Sequence, residues 1–136
     1  MGVGVAENGD VWMADGTRNR MLHFPGGRLK DGRIVEVPGL KSPFGVAIDA
    51  QNRVWVSNSQ SDKVIRFPAD DPSKTETFTV GISVRGIALD SKGNLWAGSN
   101  KSPDFPPPVI PDGVSIMEQF QIALKHMLTV LEQNPR

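Results

Sequence analysis

The chain has 136 residues, 15 Lys and Arg against 15 Asp and Glu, and no Cys. That length is one domain's worth, and the balanced charge argues against a generally basic nucleic-acid binder and against an acidic tail protein. Without Cys there are no disulfides, no Cys-ligated zinc and no thiol catalysis, and no apolar run approaches the roughly 18 residues of a membrane helix.

In chain order, residues 2–6 (Gly2-Val3-Gly4-Val5-Ala6) read as a strand. Neither a basic n-region nor an apolar h-region precedes them, so no signal peptide is expected in this chain, which is expected to begin inside a structural unit. Three tryptophans follow at Trp12, Trp55 and Trp96, with spacings of 43 and 41. Residues 2–37 lie over 45–80 without a gap, with seven identities in 36 positions. These include Gly2/Gly45, Trp12/Trp55, Phe24/Phe67 and Val37/Val80, all apolar or turn positions. A third copy starts at Gly86 and runs to residue 100, carrying Ala88, Asp90 and Trp96 over Ala47, Asp49 and Trp55. The change in period falls wholly in the linker before the copy, where insertions belong.

Each full copy predicts four short strands. In the second they are 45–49, 53–57, 63–67 and 75–80, rich in Val, Ile, Trp, Phe and Thr. The first two are joined by Asp49-Ala50-Gln51-Asn52-Arg53, whose counterparts begin at Ala6 and Asp90. Asn and Gly in these segments tolerate the positive φ of tight hairpins. Gly26-Gly27 predicts a turn between the third and fourth strands of the first copy. Four antiparallel strands per repeat of about 40–45 residues is the period of a β-propeller blade.

The stretch from Trp12-Met13-Ala14-Asp15 through Asn19-Arg20-Met21-Leu22 closely resembles an NHL repeat: an aromatic, a small-Asp pair, then Asn-Arg-apolar. Pro43-Phe44-Gly45-Val46-Ala47-Ile48-Asp49 and Gly93-Asn94-Leu95-Trp96 look like the same pattern. The wider group holds streptogramin-lyase-like and gluconolactonase-like propellers. The resemblance covers residues 2–100 and implies an all-β fold, a partial β-propeller of about two and a half blades. Because closed propellers use about 4–8 blades, either missing blades or self-association must complete the ring. Both ends break inside repeats, so the expectation is a fragment of a larger propeller protein. The resemblance also implies a parent that is often extracytoplasmic.

After residue 100 a Pro-rich connector, 101–113, carries five of the 11 prolines and predicts extended backbone. Residues 114–133 then predict an amphipathic helix. Ser115 and Glu118 have capping-box spacing, and Ile116, Phe120, Leu124, Met127 and Leu131 recur at helical steps. The expected role is packing on a propeller face, with partner binding as the alternative.

The tryptophans are expected to pack between blades rather than to stack on ligand. Asp15, Asn58 and Asn100 fall near equivalent ends of the second strands, where their oxygens could meet a divalent metal such as Ca²⁺ or Mg²⁺. Strand capping through their own backbone is the simpler expectation, and no cofactor is assigned. The resemblance implies an Asp, Asn or His just before the first-strand Gly of metal-dependent relatives. Phe44 and Arg85 stand there instead, and His23 and His126 lie elsewhere, so no catalytic set assembles within the chain. Asp70-Asp71-Pro72 reads as a solvated loop.

Residues 16–41 hold six cations against two carboxylates, but few aromatics accompany them, so a solvated edge is expected rather than nucleic-acid binding. Gly2-Val3-Gly4 lacks the third Gly and the helix of a dinucleotide fingerprint. The function expected is a non-catalytic binding module for a small molecule, glycan or protein. Its contacts would be Phe44 and Arg85, with Asp15, Asn58 and Asn100. The alternative is a piece of a metal-dependent lactonase- or streptogramin-lyase-like enzyme.

Overall fold

The computed structural model describes residues 1–101 together with Gly113, Ser115, Met117, Glu118 and Gln121. The chain divides into two compact units, Met1–Asn100 and Lys101–Arg136. The connector expected at 101–113 and the helix expected at 114–133 lie outside the described residues, those positions apart. Among them, the Ser115 N–H donates to Glu118 Oε2 at 2.7 Å and the Glu118 N–H donates to Ser115 Oγ at 3.2 Å. This reciprocal pair is a capping box. Among the described residues no helix is long and apolar enough to cross a membrane.

The first unit is all-β. A first sheet contains β1 (Val3–Val5), β2 (Val11–Asp15), β3 (Arg20–Phe24) and β4 (Arg33–Val35) in sequential antiparallel order. A second contains β5 (Pro43–Ile48), β6 (Arg53–Asn58), β7 (Lys63–Pro68) and β8 (Glu76–Thr79), ordered the same way. A third pairs β9 (Ile82–Leu89) with β10 (Leu95–Lys101). These are two whole blades and half of another.

The hairpin turns follow from their residues. Asn52 (φ 58°) and Gly93 (φ 80°) take the left-handed conformation at matching points of two hairpins, where Asn and Gly are tolerated best. β5 and β9 begin earlier than the repeat boundaries at Gly45 and Gly86 suggest. In β5 the reason is a register shift between Pro43 and Val46, which lets strand pairing resume on the far side of an irregularity.

Alternation along each strand gives every blade two apolar faces. Trp12, Ala14 and Met21 on one face of the first blade are buried against Val46, Val54, Val56, Ile65 and Phe67 of the second. Trp55 and Val64, from the opposite face of the second blade, are buried with Val84 of the third. Trp12 meets Phe67 edge-on at 5.5 Å between ring centroids, a favourable quadrupole arrangement.

Glycine lets the first strands of adjacent blades approach backbone to backbone. A Cβ on Gly45 would collide with the Arg85 carbonyl oxygen, and one on Gly2 with that of Phe44. Ser57 Oγ bridges the gap beside Gly45. It accepts the Gly45 N–H at 2.8 Å and donates to Arg85 O at 2.6 Å. These contacts hold the starts of β5 and β9 side by side.

Candidate functional site

Ser42, just before β5, and Ser83, at the start of β9, are held by turns of the neighbouring blade. The Ser42 N–H donates to Asn19 Oδ1 at 2.6 Å, and Ser42 O accepts from the Ser59 N–H and Oγ. One repeat later, Ser83 Oγ donates to Ser59 O at 2.9 Å and the Ser83 N–H to Ser61 O at 3.1 Å. Both serines are left-handed, with φ of 50° and 54°. That conformation is uncommon for a non-glycine residue, and the surrounding bonds enforce it.

Two residues beyond each serine stand Phe44 and Arg85, at equivalent positions in neighbouring blades. The Arg85 guanidinium carbon lies 5.5 Å from the centroid of the Phe44 ring. This is a cation–π contact between two exposed side chains, worth about 0.5–1 kcal/mol. Phe44 also lines an open cleft of about 430 Å³ whose other walls include Thr17, Asn19, Ser42 and Gln60. Arg85, Phe44 and this polar wall together present a cation, an apolar ring and neutral hydrogen-bonding groups.

The remaining expected contacts occupy different surroundings. Asp15 ends β2, buried, with Arg20 Nε at 3.0 Å and Arg18 Nη1 at 3.6 Å from its Oδ2. Burial alone would raise its pKa. The Arg20 hydrogen bond, the Arg18 N–H and both guanidinium charges outweigh that and hold the carboxyl below the usual range. Asn58 ends β6 and is fully buried. Its Oδ1 accepts the Lys41 N–H and its Nδ2 donates to Gly39 O, both at 3.0 Å. It thereby fixes the linker leading to β5. Asn100 lies within β10. Thus the structure brings Phe44 and Arg85 together, while Asp15 and Asn58 are engaged by the framework. Among the described residues no three His, Asp or Glu side chains converge to hold a metal ion.

One polar cluster was not legible beforehand. His23 is buried and stacked on Trp12 at 4.1 Å. Its Nε2 lies 2.9 Å from Asp10 Oδ2, and its Nδ1 lies 3.1–3.2 Å from the Arg33 guanidinium. Arginine can only donate, so Nδ1 accepts and Nε2 carries the proton toward Asp10. The Gly26 N–H is the largest influence holding the Asp10 carboxyl low, and the His23 contact adds to it against partial burial. In the second blade the same positions hold Arg66, stacked over Trp55, and its ion-pair partner Glu76. The signal available in sequence was that paired exchange, His23 for Arg66 and Arg33 for Glu76.

A family model described as "Two component regulator propeller" matches residues 80–101. Comparison of the sequence with curated proteins gave no significant match. Solved structures do resemble the fold. A catalytically inactive virginiamycin B lyase from Staphylococcus aureus with quinupristin has a TM-score of 0.60 at 18% identity, covering 72% of this chain and 33% of that one. A streptogramin B lyase gives 0.54 at 15% identity, covering 76% and 41%. A luciferin-regenerating enzyme gives 0.54 at 15% identity, covering 66% and 33%. The chain is a partial β-propeller. It spans about a third to two fifths of the length of these structures, and at such identities the likeness is one of fold.

Proposed function

We propose that this partial propeller, of the NHL-repeat kind, is a non-catalytic binding and scaffold module of a larger propeller assembly. It takes its ligand where Arg85 lies over Phe44. That contact carries the reading, because it joins charge and apolar surface on a rigid, exposed rim beside a polar cleft. The complementary ligand is a small molecule, glycan or protein loop that bears an anionic group next to an apolar or planar one. Charge-assisted hydrogen bonds from Arg85 would hold the anion. The Phe44 ring would pack against the apolar part. Asp15, Asn58 and Asn100 would support the rim or line its inner side.

The experiment is an NMR titration of the chain with acetate, benzoate and a uronic-acid oligosaccharide. Saturable shifts at the amides of residues 44 and 85 are expected for benzoate or the oligosaccharide, and are lost in Arg85→Ala. Absence of saturable shifts with all three probes would refute the reading.

A second reading is favoured by one observation: similar solved structures include two lyases and a luciferin-regenerating enzyme. In it the chain is a piece of a metal-dependent lactonase- or streptogramin-lyase-like enzyme whose catalytic residues lie outside this chain. The side chains of Phe44 and Arg85 offer a metal neither oxygen nor imidazole. Turnover of a lactone, dependent on added Mg²⁺ or Ca²⁺, by a protein that carries these blades within a complete ring, and its loss when that metal is removed, would establish it over the first.

A further inference from the structure

Among the described residues, the first blade leaves one apolar face without a neighbour, and β9 and β10 leave the opposite one. The first open face is built from the same positions that the second blade buries. On β1, Val3 and Val5 stand where Val46 and Ile48 stand on β5. On β2, Val11 and Met13 stand for Val54 and Val56. On β3, Leu22 and Phe24 stand for Ile65 and Phe67. All six counterparts are apolar. In the second blade this face receives Trp12, whereas in the first Val3 is 52% and Val5 66% exposed.

The other open face carries the matching plug. Trp96 occupies the position of Trp12 and Trp55 but is 67% exposed. Small residues surround it, Ala88 and Gly98 in place of Gly4/Ala47 and Ala14/Ser57, leaving a shallow apolar hollow along β9 and β10. The indole is already oriented. Its Nε1–H donates to Asp90 Oδ2 at 3.1 Å, as that of Trp55 donates to Asp49 Oδ2 at 3.0 Å inside the buried interface. Trp96 therefore needs little ordering to pack as Trp55 does.

We infer that these two faces bind each other between copies of this chain, the Trp96 face of one copy seating on the Val3–Phe24 face of the next. The occupant is a second copy because each face repeats positions already buried in this chain, all three strands on the Val3–Phe24 side and the β9 and β10 positions on the Trp96 side. Docking continues an interface that the molecule makes twice within itself. Trp96 would then meet Phe24 of the next copy edge-on, as Trp12 meets Phe67 within the chain. The contact is head-to-tail, so each copy keeps one free face until a ring closes.

Light scattering during size-exclusion chromatography tests this across protein concentrations. The unaltered chain is expected at multiples of 14.8 kDa, rising with concentration. Trp96→Glu and Val5→Asp each remove one face and should each run as monomers. Mixed in equal amounts they should form a dimer and nothing larger, since the mixture holds one intact face of each kind per pair. Recombination also shows that both variants are folded. If either loses its sheet signal in circular dichroism, hydrogen exchange of the unaltered chain decides: β1 and β10 amides should gain protection as concentration rises. A monomer at every concentration would overturn the inference and leave blades from a longer chain as the occupant. Association that survives both substitutions would also overturn it. The ligand site on the rim is read separately by NMR, so either proposal can fail alone.

Discussion

The indole Nε1–H of Trp55 donates to Asp49 Oδ2 at 3.0 Å, from a side chain that also accepts the Gln51 and Arg53 N–H groups. One aspartate thus ties the hairpin turn to the tryptophan that plugs the next blade. Asp90 does the same for Trp96, accepting from the Lys92 and Asn94 N–H groups. In the first blade Ala6 holds this position, and the buried Trp12 Nε1 has no partner.

That gap predicts a stabilising substitution. Ala6→Asp would give Trp12 Nε1 an acceptor, removing the cost of a buried unsatisfied donor. A gain of about 1 kcal/mol is expected, raising Tm by roughly 3–6 °C. Thermal unfolding checks it, and the gain should vanish in a Trp12→Phe background. An unchanged Tm would refute the account.

The aspartates also set a pH dependence. The Asn94 side-chain amide, then the Trp96 indole and the Asn94 and Lys92 N–H groups, lower the Asp90 pKa from 3.8 to about 2. A folded pKa below the unfolded one means that the stabilisation is complete above the unfolded value. It is lost as the pH falls through about 2. Carboxyl-carbon NMR should show this late titration, and Asn94→Ala should move it back toward 3.8.

Equivalent glycines should respond differently to the same change. A methyl on Gly45 would strike Arg85 O, so Gly45→Ala is expected to cost about 1–3 kcal/mol by forcing adjacent first strands apart. Gly86 has nothing within 4 Å of its virtual Cβ, and Gly86→Ala should change stability by about 0.5 kcal/mol or less. Urea unfolding of the two variants makes the comparison.

A parallel contrast holds for tryptophan. Trp55 is 8% exposed and sandwiched between blades, and Trp55→Ala should cost about 3–5 kcal/mol. Trp96 is 67% exposed, and in the monomeric chain Trp96→Ala should cost about 1 kcal/mol or less. A similar large loss at both would mean that Trp96 is buried in the species measured.

Much of the fold was legible because its determinants are local. The Trp12, Trp55 and Trp96 spacing revealed the blade period, and Gly26-Gly27 forms the expected turn, with φ of 56° and 70°. The strand starts were less legible. β5 extends back to Pro43 through an irregularity whose pairing partner, Asn58, lies on another strand. Of the candidate site, the positions of Phe44 and Arg85 were readable from the repeat. Their contact was not, since it joins neighbouring blades.

The sequence by itself determined strands, turns, repeat period and which faces are apolar, because side-chain alternation and turn chemistry act over a few residues. Only the tertiary structure decided that Arg85 lies over Phe44 and that Asp10 reaches His23 thirteen residues away. It alone separated the buried Trp12 and Trp55 from the exposed Trp96. Trp12, Trp55 and Trp96 share one position in the pattern, and only the folded arrangement buries the first two beneath His23 or Arg66 and a neighbouring blade.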